Sequence, residues 1–124
     1  MTFANEFYQW IRSINANETP NNEIIAFRFG LFETENGITM YLVGSKEFDE
    51  EDEDWACNED FEPKNKYLEL PSEYVKGKKW ENVLKDALII LRAFINSDEF
   101  KTSIFKNSVA IAAGFDDGDL NRIK

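Results

Sequence analysis

Ten of the sixteen residues in EFDEEDEDWACNEDFE, positions 47 to 62, are carboxylates, and none is lysine or arginine. Hard cations are the first chemistry such a run suggests, because calcium is held by about six to eight oxygen ligands. The spacing fits poorly. A calcium loop of the EF-hand kind wants acids at its first, third and fifth positions, glycine at the sixth and glutamate at the twelfth. Counting from Asp49 supplies Asp49, Glu51 and Glu53, but Asp54 stands where glycine belongs and Asp60 where glutamate belongs. A second acidic group, Asp116-Asp117-Gly118-Asp119, reads as a surface turn in which Gly118 would take positive φ. Paired carboxylates can also hydrolyse glycosides, a reaction that needs two acids flanking a sugar-binding cleft. Here the acids fall in one run, and little chain remains to build a cleft around them. Cys57 lies among carboxylates that disfavour its thiolate, so it reads as a small packed residue beside Trp55 and not as a nucleophile. The chain has no histidine. That removes Ser-His and Cys-His nucleophilic sites and the usual zinc ligand sets. The residues call for no cofactor and no catalytic group; a divalent-cation (calcium) binding module and an adaptor for a basic partner unrelated to toxins remain the alternatives.

The charge itself is local. The chain carries 24 acids and 14 bases, a net charge of −10, and the run contributes ten of those acids, so the rest is balanced at 14 against 14. A loop that served only solubility would have no use for Trp55 and Phe61, whose exposure beside the acids would be unfavourable. Two arrangements satisfy them. Either the rings fold back and fix the loop to the domain with the carboxylates outward, or they stay partly exposed as anchors in an interface. Both leave a dense negative patch that attracts a basic partner, raises its association rate and weakens with salt. The candidate partner-binding residues are therefore Asp49, Glu50, Glu51, Asp52, Glu53, Asp54, Trp55, Glu59, Asp60 and Phe61. The same charge repels nucleic acid and anionic membrane surfaces.

The elements that would position this loop are legible in the hydrophobic pattern. Phe3, Phe7, Trp10, Ile11 and Ile14 recur every three or four residues and predict an amphipathic helix over residues 2 to 15. Ile25, Phe27, Phe29 and Leu31 then alternate as a strand requires, and Asn36-Gly37 is the preferred pair for a two-residue type I′ hairpin turn. With that turn at the tip, Glu35 faces Ile38, Glu33 faces Met40 and Leu31 faces Leu42. One face then carries Ile25, Phe27, Phe29, Leu31, Ile38, Met40 and Leu42. Residues 66 to 70 predict a short third strand closed by Pro71, and 109 to 113 a short buried one. The strongest helix covers 80 to 95, with Trp80, Val83, Leu84, Ala87, Leu88, Leu91, Phe94 and Ile95 on its core stripe and Ile89 and Ile90 widening it. Phe100, Ile104 and Phe105 predict a further helical turn. The order implies a single α+β domain over residues 1 to 124: an antiparallel sheet built on the 23 to 44 hairpin, helices packed on one of its faces, and an acidic loop at 47 to 62.

Length and composition agree with one such domain, since 43% of the residues are apolar and eleven are phenylalanine. A lone cysteine, a start without a signal-peptide pattern and the lack of any long apolar run predict a cytoplasmic protein. Oligomeric state stays open. The segments DWACNEDFEP (54 to 63) and YLELP (67 to 71), the tryptophan-led helix from Trp80 and the terminal GFDDGDL (114 to 120) together resemble the immunity proteins of bacterial polymorphic-toxin and contact-dependent inhibition systems. That resemblance implies a small cytoplasmic antitoxin without enzymatic activity, whose partner is a cognate protein toxin.

Overall fold

A computed structural model describes residues 2–124 as α1 (Phe3–Asn17), β1 (Ala26–Thr34), β2 (Gly37–Ser45), β3 (Tyr67–Glu69), α2 (Ser72–Val75), α3 (Trp80–Ile95), β4 (Ala110–Phe115) and β5 (Asn121–Arg122), with 3₁₀ helices at Glu53–Cys57 and Glu99–Thr102. The α+β class predicted from the pattern holds. Thr2 caps α1 by accepting a hydrogen bond from the Asn5 backbone N–H at 3.1 Å, and Phe3, Phe7, Trp10, Ile11 and Ile14 are all buried. α3 buries Val83, Ala87, Leu91 and Phe94. Both helices pack on the sheet face formed by Phe27, Phe29, Leu31, Met40, Leu42, Ile111 and Phe115. The centre of this core is aromatic. Phe7 meets Phe29 at 6.1 Å and Phe94 at 5.9 Å between ring centroids, and Phe105 closes the group against Phe94 at 5.9 Å and Phe29 at 5.8 Å. Such contacts each contribute about 1 kcal/mol beyond their burial.

The sheet order is β3-β2-β1-β4-β5. It is mixed where the pattern implied antiparallel pairing throughout, because β4 runs parallel to β1. The chain explains this: α3 carries it from β3 across β2 and β1, and a helical crossover returns the next strand in the direction of β3, which is also that of β1. The hairpin register also differs from the expected one. Leu31 pairs with Met40 and Thr34 with Gly37, so Glu35 and Asn36 form the tip. Asn36 does not take the positive φ that a type I′ turn centred on Asn36-Gly37 would demand. The resulting shift is two residues, one full strand period, so Phe27, Phe29, Leu31, Ile38, Met40 and Leu42 keep the same face. Ile25 is the exception. The strand begins only at Ala26, Ile24 packs on the core instead, and Ile25 lies along the acidic loop.

Three further expectations need correction. Trp80 and Ile89 are 48% and 56% exposed, so neither belongs to the core stripe of α3. Trp80 stands in the first turn, where Phe115 at the strand end is its aromatic neighbour, and Ile89 lies on the outer side. Gly118 does not adopt positive φ; Gly77 does, at 74°, just after α2. Among the described residues, no helix is long and apolar enough to cross a membrane.

Candidate protein-binding surface

The acidic segment wraps one edge of the sheet and is pinned on both faces. Leaving β2, it crosses the face opposite the helices, where Trp55 and Ala56 of the 3₁₀ helix seat on Ala26, Ala110 and Ala112. Alternate alanines on two neighbouring strands leave a shallow recess the size of an indole ring, and Trp55 is only 6% exposed in it. The chain then returns to the edge of β2. Phe61 forms an antiparallel bridge with Gly44 and turns its ring onto Phe27 on the helix side, at 6.2 Å. Of the two arrangements open to these rings, the molecule adopts the first. Trp55 is buried and Phe61 half-buried, so both fix the loop and neither is a free anchor for a partner.

Short hydrogen bonds shape the segment between these pins. Asp49 Oδ1 accepts from the Glu51 N–H at 2.8 Å, Asp52 caps the 3₁₀ helix by accepting from the Asp54 N–H at 3.0 Å, and Asp60 accepts from the Lys46 N–H at 2.9 Å. Asn58 donates to Ser45 Oγ at 3.1 Å. Side chains of this type bond to nearby backbone groups readily, which is why a run so charged still forms ordered turns. Cys57 is exposed and not packed beside Trp55, since a five-residue 3₁₀ helix that seats positions 55 and 56 on the sheet sends position 57 outward.

All ten carboxylates of the segment face solvent. Among the described residues only Glu50, Glu59 and Glu62 reach a cation: Glu50 pairs with Arg122 at 3.3 Å, and Glu59 and Glu62 share Lys66 at 2.9 and 2.6 Å. Burial alone would lower the Lys66 ammonium, but its hydrogen bonds to Glu62 and Glu59 and their charges outweigh that and hold it above the ordinary lysine range. The other seven acids have no countercharge. Four of them, Glu47, Asp49, Asp52 and Asp54, rim a groove of about 480 Å³ together with Lys46, which pairs with Glu23 at 3.3 Å, and its apolar floor is Ile25, Phe48 and Trp55. Phe48 stands edge-on to Trp55 at 5.3 Å, and the Arg122 guanidinium lies over the Phe48 ring at 4.6 Å. Phe48 escaped the sequence reading because nothing in the pattern distinguished it from a loop residue; its contact with Trp55 is the signal. Among the described residues no three acid or thiol side chains converge on a point where a metal ion could sit.

The uncovered part of the same sheet face is aromatic. Tyr41, Tyr67 and Phe32 lie within 6.5 Å of one another, with Arg28 and Lys66 over their rings. Tyr41 lies across Gly30, where a side chain of any size would collide with its ring, and donates to Asp116 at 2.5 Å. Burial first, and then that hydrogen bond, raise the Tyr41 phenol well above the ordinary tyrosine value. Comparison of the chain with protein-family models, curated proteins and solved structures finds no match.

Proposed function

We propose that this chain is a non-enzymatic binding protein that neutralises a basic protein partner through the surface at 47 to 62. The observation that carries the proposal is the groove rimmed by Glu47, Asp49, Asp52 and Asp54 over Phe48 and Trp55. Its rim sets four carboxylates against one lysine, Lys46, whose ammonium is engaged by Glu23, and so offers an excess of negative charge to a lysine or arginine head, while its floor offers apolar surface to the methylene stem. Because Trp55 and Phe61 hold the loop, much of its ordering cost falls on folding and not on association, which favours affinity. The excess charge steers encounter at a distance and weakens as salt rises. Carboxylates with uncompensated charge repel polyanions, so nucleic acid and anionic membranes are not the intended surface.

Within that class, the reading we adopt is a cytoplasmic antitoxin of the immunity-protein kind, whose cognate toxin presents a cationic face to this loop. A toxin that acts on a polyanionic substrate has such a face, and an acidic loop covering it would stand in for the substrate. The test is to read the neighbouring open reading frame for a large secreted protein with a C-terminal toxin domain and to co-express that domain with this chain. Growth should be rescued by the chain and lost when Asp49, Asp52 and Asp54 become Asn and Glu51 and Glu53 become Gln. Equal rescue by that variant would exclude the loop as the neutralising surface.

A further inference from the structure

Trp80 is an outlier among the tryptophans of this chain. Trp10 and Trp55 are 3% and 6% exposed, whereas Trp80, at the start of α3, is 48% exposed. With Phe32 and Phe115 it lines a cavity of about 530 Å³, and Glu33, Asp116 and Asp117 complete the wall. Trp80 packs edge-on to Phe115 at 5.8 Å. Asp116 is oriented through one oxygen: its Oδ1 accepts from the Tyr41 hydroxyl at 2.5 Å and from Arg28 at 3.5 Å. Among the described residues no donor reaches its Oδ2, and neither Glu33 nor Asp117 forms an ion pair.

Three carboxylates facing aromatic walls match an organic cation. A bare metal ion would gain nothing from the rings, and a neutral apolar ligand nothing from the acids. Guanidinium satisfies both, since its plane stacks on an indole while its fork of N–H groups engages carboxylates. Lys79 is the adjacent cation in the chain and is exposed, and Arg28 already pairs with Asp116, so the two uncompensated carboxylates, Glu33 and Asp117, outnumber the one repulsive charge. We infer that this cavity is a second cradle that takes an arginine side chain of a basic protein partner. The inference rests on the binding reading above and names a separate contact point for it. Ile25 in the loop groove, just before β1, and Glu33 in this cavity, near the far end of β1, are eight residues or roughly 26 Å apart. One partner face of ordinary interface size covers both.

The experiment follows the three indole N–H signals of the ¹⁵N-labelled chain during titration with acetyl-Gly-Arg-Gly-amide, and with the same peptide carrying neutral citrulline in place of arginine. The arginine peptide should shift the Trp80 signal and bind about tenfold more tightly than the citrulline peptide, and Glu33→Gln with Asp117→Asn should remove most of that difference. The response should persist when the loop carboxylates 49, 51, 52, 53 and 54 are neutralised as above. Movement of loop signals without Trp80 would overturn the second cradle and leave the loop reading intact. Movement of Trp80 with a silent loop would support the cradle and remove the loop. Equal binding of both peptides at Trp80 would show an aromatic pocket indifferent to charge and end the inference.

Discussion

Gly44 and Phe61 exchange two backbone hydrogen bonds, of 2.9 and 3.1 Å, and so tie the end of the acidic segment to the edge of β2. A Cβ on Gly44 would stand 2.7 Å from Ile24 Cγ2 and 3.1 Å from the Phe61 Cβ. Gly44→Ala should therefore crowd a closed contact and destabilise the fold by about 1 to 3 kcal/mol. Urea unfolding checks it, with the midpoint falling and the slope unchanged.

Trp55 is a core residue by contact, and its removal should be felt as such. Trp55→Ala should cost about 3 kcal/mol, because the alanine recess beneath it cannot collapse to fill the space. Binding should weaken as a consequence of a loosened loop. Trp55→Phe should recover most of the stability, as read by thermal unfolding. An unchanged midpoint in Trp55→Ala would mean the ring is not seated on Ala26, Ala110 and Ala112.

How far the sequence carried the fold can be judged from these two positions. Periodicity places α3 at Trp80–Ile95 and the two faces of the hairpin, because helical and strand spacing are local properties. It identifies Trp55 and Phe61 as residues that need burial. It cannot tell that their sockets are Ala26 with Ala110 and Ala112 on one face and Phe27 on the other, since those residues are brought together only by the parallel pairing of β1 with β4 and by the bridge to Gly44. The stripe on α3 likewise includes Trp80 by spacing alone. Its exposure depends on where the sheet ends.

Tyr41 supplies a pH test. Its phenol is raised by burial and by its hydrogen bond to Asp116, and that of Tyr74 by burial and by its hydrogen bond to Asp86 at 2.5 Å. A group raised above its unfolded value contributes stability that is complete below about pH 10 and is lost as pH climbs toward the folded value. Stability should hold to about pH 10 and fall above it, followed by phenolate absorbance alongside circular dichroism. Asp116→Asn should bring the Tyr41 transition to lower pH by removing the acceptor charge.

Gly30→Ala tests the aromatic half of the same face. The new methyl would meet the Tyr41 ring and push it off the strand, breaking the hydrogen bond to Asp116. The expected result is a loss of about 1 to 3 kcal/mol together with a Tyr41 transition at lower pH. A variant of parental stability and titration would place the ring elsewhere.

The central claim is that a locked loop presents uncompensated carboxylates to a basic partner. It is tested most directly by the affinity of the chain for an arginine-rich peptide, measured as ionic strength rises from about 0.01 M to about 0.15 M, which shortens the screening length from about 30 Å to about 8 Å. The parent chain should bind and lose most of its affinity over that range. The loop variant with Asn at 49, 52 and 54 and Gln at 51 and 53 keeps side-chain caps at 49 and 52; it should fold equally well yet bind about tenfold more weakly with a flatter salt dependence. Equal affinity and an equal salt slope in the two proteins would contradict the account.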